Sequence, residues 1–249
     1  MMKDERMMGE PKSRFLSSGS LLGALEPKYP EIVTLTGAGG KTTTMLHLAR
    51  EAYAVGKRML VTVTTKIYES DAARFGPLVY AAEKLSGKRL AVYVAGKDES
   101  TGKLIGIDPD AIPDGFDLVL VEADGSAGKP LTAPKAHEPV IPASTTTVLA
   151  VAGLDALGQP VHAMHRPEVI ANLTGVSLDA PVNAEVMAAV LSHPLGNTKG
   201  RPARARVIYL LNKADDDERL QHGKAVAELL PGPVLATSHG RVRWSKPVG

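Results

Sequence analysis

The sequence predicts an α/β protein of the P-loop NTPase class, with a mostly parallel sheet, helices on both faces and a Pro/Gly-rich insertion. Three observations lead there. A turn with three glycines joins an apolar strand to a helical pattern in "IVTLTGAGGKTTTMLHLAREA", Ile32 to Ala52. Apolar runs of strand length alternate with helical patterns along the rest of the chain. Two further polar motifs each directly follow such a run. At 249 residues with 44% hydrophobic content, the chain can bury a full core.

Taken in order, residues 1–30 read as an N-terminal extension and 31–249 as a single P-loop NTPase domain. Its first strand carries Ile32, Val33 and Leu35. Gly37, Gly39 and Gly40 then let the backbone turn tightly with its N–H groups pointing inward at anionic oxygens. Lys41 can reach terminal phosphates and Thr42 can offer its hydroxyl to Mg²⁺. The helix from Thr42 to Val55 points its positive end at the same place. Gly37, Ala38, Gly39, Gly40, Lys41, Thr42 and Thr43 are therefore the expected nucleotide-phosphate contacts. The pattern G-x-x-x-x-G-K-[ST] asks for glycine where this chain has Leu35, so the match is to its second half.

Further strands are expected at Met59 to Thr64, Ala91 to Ala95 and Asp117 to Val121. Glu122 then falls at the carboxyl end of a buried strand, where open parallel sheets place ligands. Glu122-Ala123-Asp124-Gly125 has the E-x-x-G spacing in which the Gly125 N–H can sense a γ-phosphate. Glu122 is assigned to the metal with Thr42, and Asp124 to orienting the attacking water or a second ion. Lys41, Glu122 and Asp124 form the expected catalytic set.

Residues 127–205, rich in Pro and Gly, interrupt the rhythm and read as an insertion or small lobe. Within them lie a strand at Thr147 to Ala152 and helices at Pro167 to Leu173 and Val182 to Leu191. His137, Glu138, His162, His165, Arg166 and Glu168 stand open as metal ligands, as substrate, partner or switch contacts, or as a surface loop. Arg166 is a candidate internal cation for a transferring phosphoryl group. Strands at Val207 to Leu211 and Val234 to Ala236 and a helix at Asp217 to Leu230 complete the chain.

The last motif is Asn212-Lys213-Ala214-Asp215, directly after an apolar strand. N-K-x-D reads guanine because the Asp carboxylate accepts from both N1–H and the N2 amino group, a donor pair adenine lacks. The lysine stem covers the base and Asn212 braces the loop. A site built on those bonds rejects the wrong base by leaving its carboxylate unpaired. "ATSHG", Ala236 to Gly240, lies where such proteins contact the guanine oxygen. GTP is thus expected over ATP as substrate, with Mg²⁺ as cofactor.

The loop, the E-x-x-G and the N-K-x-D, in that order, resemble the P-loop GTPases that insert metals or cofactors into other enzymes. "TVTTKIYESDA", Thr62 to Ala72, is similar to the switch segment of the urease accessory proteins, with Lys66 where they carry an acid. "GAGGKTTT", "LVTVTTKI", "EADGSAGKPLTAPKAHEPVIP", "GLDALGQPVHAMHRPE" and "LLNKAD" together resemble the selenium-dependent hydroxylase accessory protein family, YqeC, from Ile32 to about Thr237. The resemblance implies nucleotide hydrolysis coupled to maturation of a selenium-dependent molybdenum hydroxylase. It also implies a client hydroxylase or cofactor-handling protein as partner. The glycine loop is similar as well to that of the Mur-type ligases, so an ATP-dependent ligase or small-molecule kinase is the enzyme alternative. A nucleotide-binding regulator without turnover is the other.

Composition bounds these readings. With no cysteine, disulfides, thiolate metal sites and thiol nucleophiles are excluded within the chain. A net charge of +2 and 4% aromatic content give no basic face or stacking platform for nucleic acid. No run approaches the ~20 apolar residues of a membrane span, so no membrane partner and a cytoplasmic location are expected.

Overall fold

The computed structural model describes residues 19–247 except 82, 84 and 86. The expected N-terminal extension lies outside the described residues as far as residue 18. Its last part forms a short helix, α1 (Leu21–Leu25), whose three leucines are buried in the main core. Ser20 caps it, and Glu51 accepts from the Ser20 hydroxyl at 2.8 Å and the Leu22 N–H at 2.7 Å.

The alternation read from the sequence appears as β1 (Glu31–Gly37), α2 (Lys41–Ala54) and β2 (Met59–Val63). A second, three-stranded sheet follows from β3 (Lys66–Tyr68), β6 (Gly96–Asp98) and β7 (Lys103–Ile105). Between its strands lie α3 (Glu69–Ala72), β4 (Leu78–Tyr80) and β5 (Leu90–Val94). Then come β8 (Leu118–Glu122), β9 (Thr147–Gly153), α4 (Pro167–Thr174), α5 (Ala184–Ser192) and β10 (Arg206–Asn212). The chain closes with α6 (Asp217–Leu229), β11 (Val234–Ser238) and β12 (Arg241–Lys246).

The main sheet has nine strands in the order β12-β11-β10-β9-β1-β8-β2-β5-β4. All neighbours pair in parallel except β12, which runs antiparallel to β11. β1 lies between β8 and β9, so the strand that feeds the glycine loop is flanked on both sides by buried backbone. β9 belongs to residues 127–205, and that segment thereby supplies a central strand as well as α4 and α5.

The side-chain period of two assigns the faces. Val33, Leu35, Leu120, Leu149 and Val151 pack with Met45, Leu48 and Ala52 of α2. Ala150, Ala152, Tyr209 and Leu211 point the other way and pack with Met187, Val190 and Leu191 of α5 and Val226 of α6. Leu60, Val119 and Val121 on that second face meet Phe116. Alanines at 150 and 152 leave room for the helices of this face to lie close. Among the described residues no helix is long and apolar enough to cross a membrane.

Several elements were not read from the sequence. β12 alternates exposed and half-buried residues at the sheet edge, and "RVRWSK" is too polar to read as a core strand. β3, β4, β6 and β7 have only three residues each, too few for a period to show. Lys66, at the expected switch, pairs with Asp98 across the small sheet and holds that carboxyl well below the usual range.

The parallel arrangement puts the starts of β1, β9 and β10 at one edge, where a buried carboxylate fastens them. Glu31, 2% exposed, accepts from Arg206 at 2.9 Å, from the Thr147 hydroxyl and from the Lys28 N–H at 2.6 Å. Arg206 also donates to the carbonyl of Leu25 at 2.9 Å, tying in α1. Arg206→Ala leaves a buried acceptor short of its cation and is expected to lower unfolding stability by about 1–3 kcal/mol, measured by urea denaturation.

Candidate functional site

The strand ends at the opposite edge build the site. Gly37 (φ 88°), Gly39 (φ 77°) and Gly40 (φ 121°) all adopt left-handed backbone conformations. Each is also pressed by a different neighbour. A Cβ would stand 2.3 Å from the Val151 carbonyl oxygen at Gly37, 2.1 Å from the Gly153 nitrogen at Gly39, and 2.4 Å from Asn212 Nδ2 at Gly40. The glycines therefore let the loop settle against the ends of β9 and β10.

The loop's N–H groups are arranged differently from the inward cradle the sequence suggests. Gly37 N–H donates to Asp124 at 2.8 Å, Ala38 N–H to Val151 at 2.9 Å, and Gly39 N–H to Lys129 at 3.1 Å. These contacts anchor the loop to its surroundings. The N–H groups that no intrahelical carbonyl can satisfy are those of the first turn of α2, which begins at Lys41, with Thr42 half-buried and Thr43 exposed on it.

Lys41 is 2% exposed. Its ammonium donates to the Gly37 carbonyl and lies 3.0 Å from Asp124 Oδ1 and 3.7 Å from Glu122 Oε1. The Thr42 hydroxyl lies 3.4 Å from Glu122 Oε2. Glu122 ends β8 at the rim, whereas Asp124 is sealed at 1% exposure. Burial pushes both carboxyls above the usual carboxylate range, and Lys41 opposes that shift in each. Gly125, the last of the expected E-x-x-G, is exposed with open space around it.

The N-K-x-D motif adjoins this group through Asn212. Its Nδ2 donates to the Gly39 carbonyl at 3.1 Å. Its Oδ1 accepts from the Lys213 N–H at 2.9 Å and the Thr237 hydroxyl at 3.1 Å. One side chain thus joins the glycine loop, β10 and β11. Lys213 (φ 62°) pairs with Asp155 at 2.6 Å. Asp215 is exposed at the edge of the site, accepting from Ser238 at 2.8 Å and lying 3.4 Å from Arg219.

Asp155 and Asn197 were missed in the sequence. Asp155 lies just past the end of β9 as Glu122 lies at the end of β8, a position that would have flagged it. Asn197, fully buried, lies 2.8 Å from where a Cβ of Gly37 would stand. Nothing in "LGNTKG" signals that placement. Glu138 pairs with Arg166, and the Thr132 hydroxyl lies 2.9 Å from His165 Nδ1. His162 instead faces Asp179 at 3.2 Å, and His137 and Glu168 are exposed. Among the described residues, no group of three or more His, Asp or Glu side chains is placed to hold a metal.

The molecule is thus an α/β protein with a strand, glycine loop and helix at the carboxyl edge of a parallel sheet, an architecture consistent with the P-loop NTPase class. The family model described as "YqeC protein" matches residues 33–168, a span that includes Lys41, Glu122, Asp124, Glu138 and Arg166. A relative from Escherichia coli (strain K12), described as "Uncharacterized protein YqeC", is 34% identical over 201 residues, covering 75% of this chain and 77% of the relative. The chain belongs to the YqeC family.

The charge arrangement has a direct readout. Carboxyl-¹³C NMR titration is expected to place Glu122 and Asp124 above their ordinary values of 4.5 and 3.8. As pH falls, these two take up protons before exposed acids do. Because Lys41 pulls both values down, Lys41→Met is expected to move both midpoints further up.

Proposed function

We propose that this protein binds a Mg²⁺-nucleoside triphosphate, GTP in preference to ATP, and hydrolyses it slowly to switch a surface used in enzyme maturation. The observation that carries this reading is the buried Lys41 ammonium. It sits at the head of α2, beside the Thr42–Glu122 contact and among carboxylates that a phosphate chain can displace. A buried ammonium is costly to keep even when a carbonyl and two carboxylates hold it, because desolvation offsets much of the Coulombic gain. Phosphate oxygens are suitable replacements, and the first turn of α2 adds donors and a favourable dipole.

A hydroxyl and a single rim carboxylate make an all-oxygen donor pair. That suits Mg²⁺, which is commonly held by one or two carboxylates together with substrate phosphates and water. Thr42 and Glu122 would hold the ion, and it would supply positive charge against the phosphate oxygens. Lys41 binds the terminal phosphates, and Asp124, whose Oδ1 is freed when the phosphates draw Lys41 away, orients a water for attack on the terminal phosphorus. The bond from that phosphorus to the bridging oxygen breaks, giving the diphosphate and inorganic phosphate. Asn212 keeps the loop and the base-reading segment in register, and Asp215, with Ser238, reads the guanine edge.

The coupling to maturation of a selenium-dependent molybdenum hydroxylase rests on the resemblance to the accessory protein family. A client hydroxylase or cofactor-handling protein is the corresponding partner. In isothermal titration with Mg²⁺, GTP is expected to bind at least tenfold more tightly than ATP, about 1.4 kcal/mol. Preference for ATP would overturn the guanine reading and bring forward the ligase or kinase alternative. Lys41→Ala is expected to abolish nucleotide binding in the same titration. Asp215→Asn is expected to erase the discrimination, with GTP and ATP then binding alike.

A further inference from the structure

Apart from Lys41, a second, largely covered cation lies on a segment tied to the glycine loop. The Arg166 guanidinium pairs with Glu138, their side chains 13% and 11% exposed. One Arg166 Nη lies 3.4 Å from the Ala133 carbonyl, while its Nε is buried with no hydrogen-bond partner. Arg166 itself is held at φ 60°, an uncommon conformation for a bulky residue.

Two backbone connections bring this pair to the loop. The His165 N–H donates to Leu131 at 3.1 Å, and two residues earlier Lys129 accepts from Gly39 at 3.1 Å. On the other side, the Val140 N–H donates to Ala123 at 3.0 Å, placing the chain just beyond Glu138 beside Asp124. The charges interact accordingly. Burial and then Arg166 hold His165 below its usual range, with Lys41 adding to the effect, and Glu138 contributes to the raised value of Asp124. Asn197 supplies a second buried polar side chain against Gly37, and neither of its amide atoms has a hydrogen-bond partner.

The charge count favours a role for this pair. Lys41 is already opposed by Asp124 and Glu122, so a triphosphate brought to the loop adds negative charge to a region where carboxylates outnumber cations. Unpartnered buried donors are uncommon and call for an explanation. Here Asn197 Nδ2 lies against Gly37, and Arg166 Nε is a second such donor on the segment tied to the loop through Leu131 and Lys129.

We propose, resting on the nucleotide reading above, that Arg166 is the second cation of the phosphoryl-transfer site. Glu138 holds it in the free chain, and a bound triphosphate draws it onto the terminal phosphoryl group, with the Asn197 amide on the same wall. As water attacks and the bond to the bridging oxygen breaks, negative charge builds on the leaving diphosphate and the transferring oxygens. Arg166 meets that charge alongside Lys41. The arginine thus comes from the same chain, and its release from Glu138 makes turnover responsive to the conformation of residues 132–140.

The test compares full-length Arg166→Ala, Glu138→Gln and wild-type protein for turnover of Mg²⁺-GTP and for binding of GDP with and without aluminium fluoride. Arg166→Ala is expected to slow turnover by about 10³-fold or more and to lose the aluminium fluoride complex while retaining GDP affinity. Added guanidinium ion is expected to restore part of that loss. Glu138→Gln, which frees the guanidinium from its restraint, is expected to raise turnover above the wild-type rate. The aluminium fluoride complex reads the same contact if turnover is too slow to follow. Arg166→Ala with unchanged turnover and an unchanged complex overturns the proposal. So does a loss shared with GDP affinity and with Glu138→Gln and unmoved by guanidinium, because the pair is then structural. Wild-type protein that binds no Mg²⁺-nucleotide removes the parent reading and this proposal together. Binding that depends on Lys41 and is indifferent to Arg166 removes this proposal alone.

Discussion

The buried ammonium of Lys41 constrains the rest of the carboxyl edge. A cation at 2% exposure loses most of its hydration and must be compensated by groups delivered to the same spot. The Gly37 carbonyl is supplied by β1 itself, while Glu122 and Asp124 come from the end of β8 and the turn after it. β8 must therefore lie beside β1, and in register. Leu35 pairs with Glu122, which carries the turn holding Asp124 up to the Gly37 N–H. One charge thus links the sheet order to the loop geometry.

The glycines follow from the same crowding. Once β9 takes the other side of β1, its Val151 carbonyl and Gly153 nitrogen come too near Gly37 and Gly39 to leave space for a side chain. Asn212 closes on Gly40 from β10 in the same way. The loop is held by three strands at once, and its early N–H groups bond to the protein. This makes the first turn of α2 the principal source of unsatisfied donors.

Polar groups at the two edges of the sheet are employed differently. At the starts of the strands, Glu31 and Arg206 join α1, β1, β9 and β10 in a satisfied network. At the ends, buried polar atoms of Asn197, Arg166 and Asp155 lack hydrogen-bond partners. A polar group left unsatisfied in a folded interior destabilises the fold unless something else meets it. That asymmetry separates the fastening at one edge from the candidate site at the other.

The strand-and-helix alternation and the edge where the motifs emerge were legible in the sequence, because buried parallel strands and amphipathic helices impose long apolar signals. The short strands β3, β4, β6 and β7 and the polar edge strand β12 escaped notice, because three residues or an exposed edge carry no comparable pattern. Lys41, Thr42, Glu122 and Asn212 could be picked out because their spacing is set by the local strand-to-helix turn. Other pairings could not. Asp155 with Lys213, Glu138 with Arg166, and Asn197 lying on Gly37 join positions far apart in the chain. The sequence by itself determined the architecture and the local motifs, since both depend on neighbouring residues. Only the tertiary structure decided which charges meet, because long-range strand order and loop packing bring those side chains together.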